Sequence, residues 1–249
     1  MGVAAECLNL THRLFPGRIG LEQWIRYRVD LSPPGLRCDP TVRLQPVTPE
    51  IIDLLRRHPD HDANQLKSGL KFWELGLGQG YVWIGDHGPL CIQWLLSTAD
   101  NPRLGVLREW AAMYEPLPAG VGRVENLFAF STARGKGIAT RFEYALYAEA
   151  RRLGLGRLLT HIHEANGAAH AWAERTGWRR YGTVLRYGFD VPGLRARAVF
   201  LHVADPENTG AGPAQPPRRE RPDGLAERGG RLFVGSHRGS SWDARRDGW

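Results

Sequence analysis

The chain has 249 residues, of which 42% are hydrophobic and 24% are charged, and its formal net charge is +7. This composition excludes a wholly disordered chain, and no run approaches the roughly 20 apolar residues that cross a membrane. We therefore expect a globular cytoplasmic protein with one large domain, or one domain with appendages. Its three cysteines, Cys7, Cys38 and Cys91, are odd in number and widely spaced, so neither a disulfide framework nor a zinc cluster is predicted.

Residues 1–40 are predicted to form an N-terminal extension that contains a short helix. A Ser-Pro-Pro-Gly break at residues 32–35 ends this helix, and a linker then runs to about Pro40. The side chains that recur at helical spacing before the break are Leu21, Trp24, Ile25 and Arg28.

Residues 41–204 alternate strand and helix patterns and are predicted to form the main domain. Thr41–Val47 alternates as a strand, and Thr48 and Pro49 supply the N-cap and the first-turn proline of a helix. Two strands flank a hairpin turn at Gly85–Gly88. Further strands are predicted over 121–130, 157–162, 180–189 and 197–203, and helices over 138–153 and 166–175. The order β-α-β-β-β-α-β-α-β-β predicts an α/β fold in which helices cover a mixed sheet.

Residues 205–249 are predicted to form a mostly disordered tail. Gly, Pro, Arg and Ser dominate this segment, and such a composition cannot bury enough apolar surface to fold. Its eight arginines are nearly balanced by seven acidic residues, so we do not expect it to bind nucleic acid through phosphate contacts.

A glycine loop joins the strand that ends at Phe130 to the helix that begins at Ile138. The loop contains Gly135 and Gly137, and glycine allows successive backbone N–H groups to point into one concavity above a helix N-terminus. Arg134 and Lys136 add positive charge there. The sequence therefore predicts a phosphate-binding loop, although the Walker pattern and the three-glycine dinucleotide fingerprint are both absent.

Two motifs in the chain resemble those of the GNAT superfamily of acyl-CoA-dependent acetyltransferases. The run from Arg134 to Ala139 fits the family's pyrophosphate loop, which has Arg or Gln, two residues, Gly, one residue, and Gly or Ala. Downstream, the family often has Asn opening a helix, Ala three residues later, and a Gly-aromatic pair after eleven residues. The matching residues in this chain are Asn166, Ala169, Gly177 and Trp178. The resemblance covers about residues 41–203.

The resemblance implies a central mixed sheet with a V-shaped split that holds coenzyme A between the strands ending near Phe130 and His163. Acetyl-CoA is the implied co-substrate, and no metal is implied. The pantetheine arm would pair with the backbone of Leu127, Phe128 and Ala129, and Asn166 would reach it from the far side. The implied pyrophosphate-binding residues are Arg134, Gly135, Lys136, Gly137, Ile138, Ala139 and Thr140.

The resemblance also implies catalytic roles. Glu125 stands nine residues before Arg134, where many family members place the Glu that takes the amine proton. Its alternative role is a strand-end carboxylate paired with Arg123 or another surface arginine. Many members carry a Tyr that protonates the leaving thiolate at the position that Ala173 occupies here. Three alternatives stay open: Tyr181 or His170 replaces this acid, the thiolate leaves unassisted, or the protein binds the cofactor without catalysis.

The function that we predict is transfer of an acetyl group from acetyl-CoA to a primary amine of a small molecule or peptide. Direct attack in a ternary complex is expected because no cysteine is placed as an acyl carrier. The alternative is a catalytically silent acyl-CoA-binding module that recruits a partner. His161 and His163 share a strand face, and because no third ligand is spaced to complete a metal site, we interpret them as a polar strand face or as acceptor-site histidines. Trp110 and Tyr114 lie in the proline-bearing segment between Asp100 and Gly120, which the resemblance implies would border the acceptor mouth. We expect a monomer or homodimer, and neither a membrane nor a nucleic acid as partner.

Overall fold

The computed structural model describes residues 19–31, 39, 41–189 and 197–205. The described strands are β1 (Ile19–Asp30), β2 (Gln45–Pro46), β3 (Gln79–Gly85), β4 (Gly88–Leu96), β5 (Val121–Ala129), β6 (Arg157–His163), β7 (Arg179–Phe189) and β8 (Arg197–Ala204). The described α-helices are α1 (Pro49–Arg56), α2 (Asn64–Leu75), α3 (Ile138–Arg152) and α4 (Gly167–Arg175). The 3₁₀ segments cover Pro59–Asp62, Thr98–Met113, which is interrupted by a non-helical Arg108, and Ser131–Ala133.

The described strands form one mixed sheet in the order β2-β3-β4-β5-β6-β1-β7-β8. The β5–β6 pair is parallel, and all other neighbouring pairs are antiparallel. A parallel pair needs a crossover connection, and α3 supplies it between β5 and β6. The predicted α/β fold with a mixed sheet and covering helices is therefore confirmed.

The predicted N-terminal helix is wrong for residues 19–30, which form strand β1. This strand lies between β6 and β7, with Ile25 opposite Ile162 on one side and opposite Thr183 on the other. The spacing that suggested a helix arose because β1 is central and covered on both faces, so apolar residues occur at adjacent positions as well as alternate ones. Residues 1–18 and most of residues 32–40 lie outside the described residues.

Several local signals operate as predicted. The Thr48 side chain accepts a hydrogen bond from the backbone N–H of Ile51 and caps α1, with Pro49 in the first turn. Gly85 pairs with Gly88 in the β3–β4 hairpin. Helix α2 is a further element that the sequence patterns missed. The predicted tail, residues 205–249, lies outside the described residues apart from Asp205.

The two faces of the sheet are covered by different elements. On one face, α3 and α4 enclose an apolar core that contains Phe142, Leu146 and Trp178 together with Ile25 and Leu158 from the sheet. On the other face lie α2 and the Thr98–Met113 segment. A Cβ on Gly69 of α2 would lie 2.4 Å from the Trp94 ring, so this glycine permits the close approach of helix to sheet. The second face carries the polar side chains of the candidate site.

Candidate active site at the split between β5 and β6

Strands β5 and β6 begin as neighbours and then separate. They pair only where Val121–Arg123 lies beside Arg157–Leu159, and no later pairing between them occurs among the described residues. A β-bulge bends β5 at the same place, because three steps from Glu125 to Phe128 lie opposite two steps in β4. Asn126 in this bulge has a φ of 58°, a conformation that Asn tolerates better than most residues. The split therefore has the form that the sequence predicted.

Backbone groups of the bent strand face the split. Leu127, Phe128 and Ala129 are the three predicted cofactor contacts in β5, and Phe128 and Ala129 pair with β4 on one side. On the other side, β6 keeps its pairing with β1 but, among the described residues, no longer pairs with β5. The edge of β5 towards β6 is therefore open to an extended ligand, which could add to the sheet as a strand does.

The glycine loop has the conformation of an anion-binding turn. Gly135 has a φ of 75° and Gly137 a φ of 71°, and Gly137 is the N-cap of α3. No side chain of the described residues caps this helix end, so the first N–H groups of α3, at Ile138, Ala139 and Thr140, are left without a capping partner in this part of the chain. A Cβ on either glycine would meet open space, so the local conformation requires the glycines and crowding does not.

Arg134 and Lys136 lie exposed at the rim of this loop. The Arg134 Nε donates to the Ala129 carbonyl at 3.0 Å, and the Lys136 Nζ donates to the Thr132 carbonyl at 2.8 Å. These bonds tie both cationic side chains back to the turn that leads from β5 into the loop. Positive charge is therefore held beside the helix N-terminus, which favours an anion there.

Asn166 lies on the opposite side of the split, at the start of α4. Its Oδ1 accepts a hydrogen bond from the Ala169 backbone N–H at 3.1 Å, so the residue is the N-cap of this helix. The side chain is exposed, and its amide N–H₂ group stays available to an acceptor on a ligand. The cap also explains the spacing between Asn166 and Ala169 in the motif.

Glu125 is buried and forms a pair with His161. The His161 Nδ1 lies 3.1 Å from Glu125 Oε1, and the two side chains are 1% and 9% exposed for His161 and Glu125, respectively. The pair bridges β5 and β6 just beyond their last paired residues. The alternative role for Glu125, an ion pair with Arg123, does not occur within salt-bridge distance among the described residues.

Burial dominates the electrostatics of this pair. Burial raises the pKa of Glu125 to about 8, although the positive charge of Arg123 opposes this rise. Burial, followed by the charges of Arg123 and Arg26, holds the pKa of His161 well below its usual value. The imidazole is therefore neutral at pH 7. A carboxyl with a pKa close to neutrality has the proton affinity that a general base needs.

Tyr114 completes the surroundings of the pair. Its ring lies edge-on to His161 with 5.8 Å between centroids, and the Arg123 guanidinium lies 5.2 Å from its ring centre. Burial, assisted by the negative charge of Glu125, raises the pKa of Tyr114 well above its ordinary value, so this hydroxyl keeps its proton. The Glu125 carboxyl is thus next to the neutral side chains of His161 and Tyr114 and to one positive side chain, that of Arg123.

The two predicted substitutes for the missing acid lie on different faces of the sheet. Tyr181 is the bulged residue of β7 and shares the Glu125 face, where the Arg26 guanidinium lies 4.4 Å from its ring centre. Burial raises its pKa, so the phenol stays protonated at pH 7. His170 lies on α4, where its Nδ1 is 3.0 Å from the Tyr27 hydroxyl. Ala173 is fully buried in the apolar core, so no side chain reaches the split from its position.

The sequence identified His161 as a polar strand-face or acceptor-site histidine and placed Tyr114 in a segment that borders the acceptor mouth, but it did not identify Arg26 as a member of the site. The one sequence signal for the pairing of His161 with Glu125 was that the two residues lie on the two strands that flank the split. Within the described ranges, no cluster of three His, Cys, Asp or Glu side chains is placed to hold a metal ion. None of the described helices has the length and apolarity to cross a membrane.

Comparisons with known proteins agree with this geometry. Residues 80–178, which include the split, the glycine loop and α4, match the model of the acetyltransferase (GNAT) family. No curated protein matches the chain.

The chain is also similar to several solved structures. A GNAT-family protein from Novosphingobium aromaticivorans DSM 12444 is 16% identical over 70% of this chain and 68% of that one, with a TM-score of 0.47. A GNAT-family acetyltransferase from Colwellia psychrerythraea is 12% identical over 74% and 62% of the two chains, with a TM-score of 0.46. A GCN5-related N-acetyltransferase from Sphaerobacter thermophilus is 14% identical over 76% and 58%, with a TM-score of 0.49. The chain thus covers less than two thirds of the length of the last two.

Proposed function

Because residues 80–178 match the acetyltransferase (GNAT) family model, we propose that the protein transfers the acetyl group of acetyl-CoA to a primary amine of a small molecule or peptide. The observation that carries this proposal is the continuous path from the open edge of β5 to the uncapped N-terminus of α3. Such a path offers main-chain hydrogen bonds to an extended arm and a positive helix end to its diphosphate.

In this proposal, acetyl-CoA lies in the split as a co-substrate. The backbone of Leu127, Phe128 and Ala129 pairs with the pantetheine arm, and Asn166 contacts the arm from the α4 side. The residues proposed to hold the pyrophosphate are Arg134, Gly135, Lys136, Gly137, Ile138, Ala139 and Thr140. Main-chain donors do most of this binding, which is why the exposed loop needs glycines and basic residues but no buried side chain.

The acceptor amine attacks the thioester carbonyl directly. Its nitrogen forms the new C–N bond, its proton passes to Glu125, and the C–S bond then breaks to release coenzyme A. His161 is the positioning residue for Glu125, since its neutral ring holds one carboxyl oxygen at 3.1 Å. Arg123 limits the rise in the Glu125 pKa, so the carboxylate form is populated near neutral pH.

We propose Tyr181 as the acid that protonates the departing thiolate. Two observations support Tyr181 over His170: it shares a sheet face with Glu125, and its raised pKa keeps its proton available. It lies on β7, which β1 separates from β6, so the proton would travel through the acceptor or a water molecule. Tyr181→Phe removes only the hydroxyl and tests this assignment by its effect on turnover.

The experiment that tests the function measures free thiol released from acetyl-CoA across a panel of primary amines. We expect release that depends on the amine and a matching acetylated product by mass spectrometry. Coenzyme A that binds by calorimetry, with no amine supporting release, would instead identify the silent binding module. The comparisons give that alternative no support. A complete lack of binding at moderate salt would remove both readings.

Gly137→Val tests the loop itself. A β-branched residue is strained at a φ of 71°, by roughly 1–2 kcal/mol, so the affinity for coenzyme A should fall about 5- to 30-fold. Gly154→Val is the matched control, because Gly154 has a φ of 80° and also faces open space, but lies beyond the other end of α3. Equal affinities for the two variants would contradict the assignment of the loop.

A further inference from the structure

A cavity lies beside Glu125 on the same face of the sheet. It has a volume of about 220 Å³ and opens between the first residues of β5 and β6 and the strands β1 and β7. Arg123, two residues before Glu125 in β5, forms part of its wall, as does Tyr181. Glu125 therefore follows a wall residue of the cavity on the same face of β5.

The walls of this cavity carry an excess of positive charge. Four arginines line it, namely Arg26, Arg28, Arg123 and Arg157, against the single carboxylate of Glu115. Glu115 pairs with Arg26, and Arg157 pairs with Asp30 at 2.6 Å. Arg28 and Arg123 have no salt bridge to any described residue. Two cationic side chains of the wall therefore have no carboxylate of the described residues within salt-bridge distance.

Of the four arginines, Arg123 has the most buried nitrogen atoms without a hydrogen-bond partner among the described residues. It is only 1% exposed, and its Nε and Nη1 are buried without a hydrogen-bond partner among the described residues. The Nε of Arg26 is in the same state. A buried guanidinium with unmade hydrogen bonds is costly, and an anionic group with several acceptor oxygens would satisfy it. These N–H groups therefore indicate a ligand.

We infer that the acceptor carries a carboxylate or phosphate group that binds in this cavity, with Arg123 and Arg26 at its inner wall and Arg28 beside them. This inference rests on the proposed function, since it places the acceptor amine at Glu125. Glu125 lies two steps along the extended strand from Arg123, which places their Cα atoms about 6–7 Å apart. The acceptor is accordingly a compact molecule whose amine and anionic group are a few bonds apart.

Anion binding can be measured without catalysis. Inorganic phosphate is titrated by calorimetry at constant ionic strength into protein saturated with coenzyme A, so that the glycine loop is already filled. We expect phosphate still to bind, and Arg28→Gln to weaken this binding by about tenfold because one charged contact is lost. Arg151→Gln makes the same charge change on the exposed end of α3 and should leave the affinity unaltered.

Acceptor preference is measured with matched pairs of amines. An amino carboxylate is compared with its carboxamide, and an amino-alkyl phosphate with the corresponding alcohol, so that the two anion types are distinguished. We expect kcat/KM for at least one anionic member to exceed that of its neutral partner by about tenfold or more. Arg28→Gln should reduce this ratio by lowering kcat/KM for the anionic member, whereas the control Arg151→Gln should leave the ratio unaltered.

The outcomes separate this inference from the proposed function. Release of coenzyme A with neutral and anionic amines at equal rates would overturn the inference and leave the acetyltransferase intact. Loss of phosphate binding once coenzyme A is present would do the same, because the only anion site would then be the glycine loop. Failure of every amine to release coenzyme A would overturn the proposed function, and the acceptor inference with it.

Discussion

Two buried glutamates, Glu125 and Glu143, lie on opposite faces of the same sheet, and burial raises the pKa of each to about 8. Glu143 extends from α3 into the apolar core, near Cys91, Tyr147 and Trp178. Glu125 instead lies between a histidine and an arginine, at the point where two strands separate. Similarly raised pKa values therefore occur at the split between β5 and β6 and inside the apolar core.

This difference shows that a raised pKa by itself does not identify a base. Desolvation raises the pKa of any buried carboxyl, whether or not a reaction takes place beside it. What distinguishes Glu125 is its surroundings: an open strand edge, a positioning imidazole and a cavity with unsatisfied guanidinium groups. Exchange of each glutamate for glutamine tests the distinction, since the two substitutions are chemically identical.

Glu125→Gln should produce the largest effect. A positioned general base contributes about 10²–10⁴-fold, so kcat should fall by that amount while the affinity for acetyl-CoA stays nearly constant. Glu143→Gln should leave kcat within about twofold, because Glu143 lies in the core behind the sheet. Rates are followed by release of free thiol. Equal losses in the two variants would mean that both substitutions act through the fold and that Glu125 is not the base.

The pH dependence of the reaction should show the titration of Glu125. The carboxyl accepts the amine proton only when ionised, and its pKa is about 8, so kcat/KM should fall about tenfold per unit as the pH drops below 8. His161 stays neutral through this range because burial lowers its pKa. The ionisation of the amine contributes its own slope, so in Glu125→Gln the profile should become less steep by the contribution of this carboxyl, and in Glu143→Gln it should keep the wild-type steepness. A flat wild-type profile between pH 6 and 8 would contradict the assignment.

The smallest effect concerns stability and Glu143. Between the ordinary glutamate pKa of 4.5 and the raised pKa of about 8, the carboxyl is ionised in the unfolded chain but protonated in the folded one, so unfolding releases a proton. The free energy of unfolding therefore falls as the pH rises through this window. Relative to Glu143→Gln, the native protein should lose at least about 1.4 kcal/mol between pH 5 and 8. Urea unfolding at both pH values measures this difference, and parallel losses would contradict it.

The sequence by itself determined the features that depend on local backbone chemistry. Gly135 and Gly137 must adopt left-handed conformations, Thr48 and Asn166 cap helices, and Gly85–Gly88 closes a hairpin. Each of these signals acts within a few residues, so it can be read without knowledge of the rest of the chain. The two motifs that resemble those of the GNAT superfamily consist of such local signals.

The tertiary structure alone decided which distant residues meet. Strand β1 resembled a helix because a central strand is covered on both faces and loses its alternating pattern. Glu143 is a charged residue of α3 that no sequence pattern singled out, and the packing of this helix against the sheet buries it. The pair of Glu125 with His161 and the four arginines of the cavity come from separate strands, and only strand pairing brings them together. Such contacts depend on the register and order of the sheet, which local sequence does not encode.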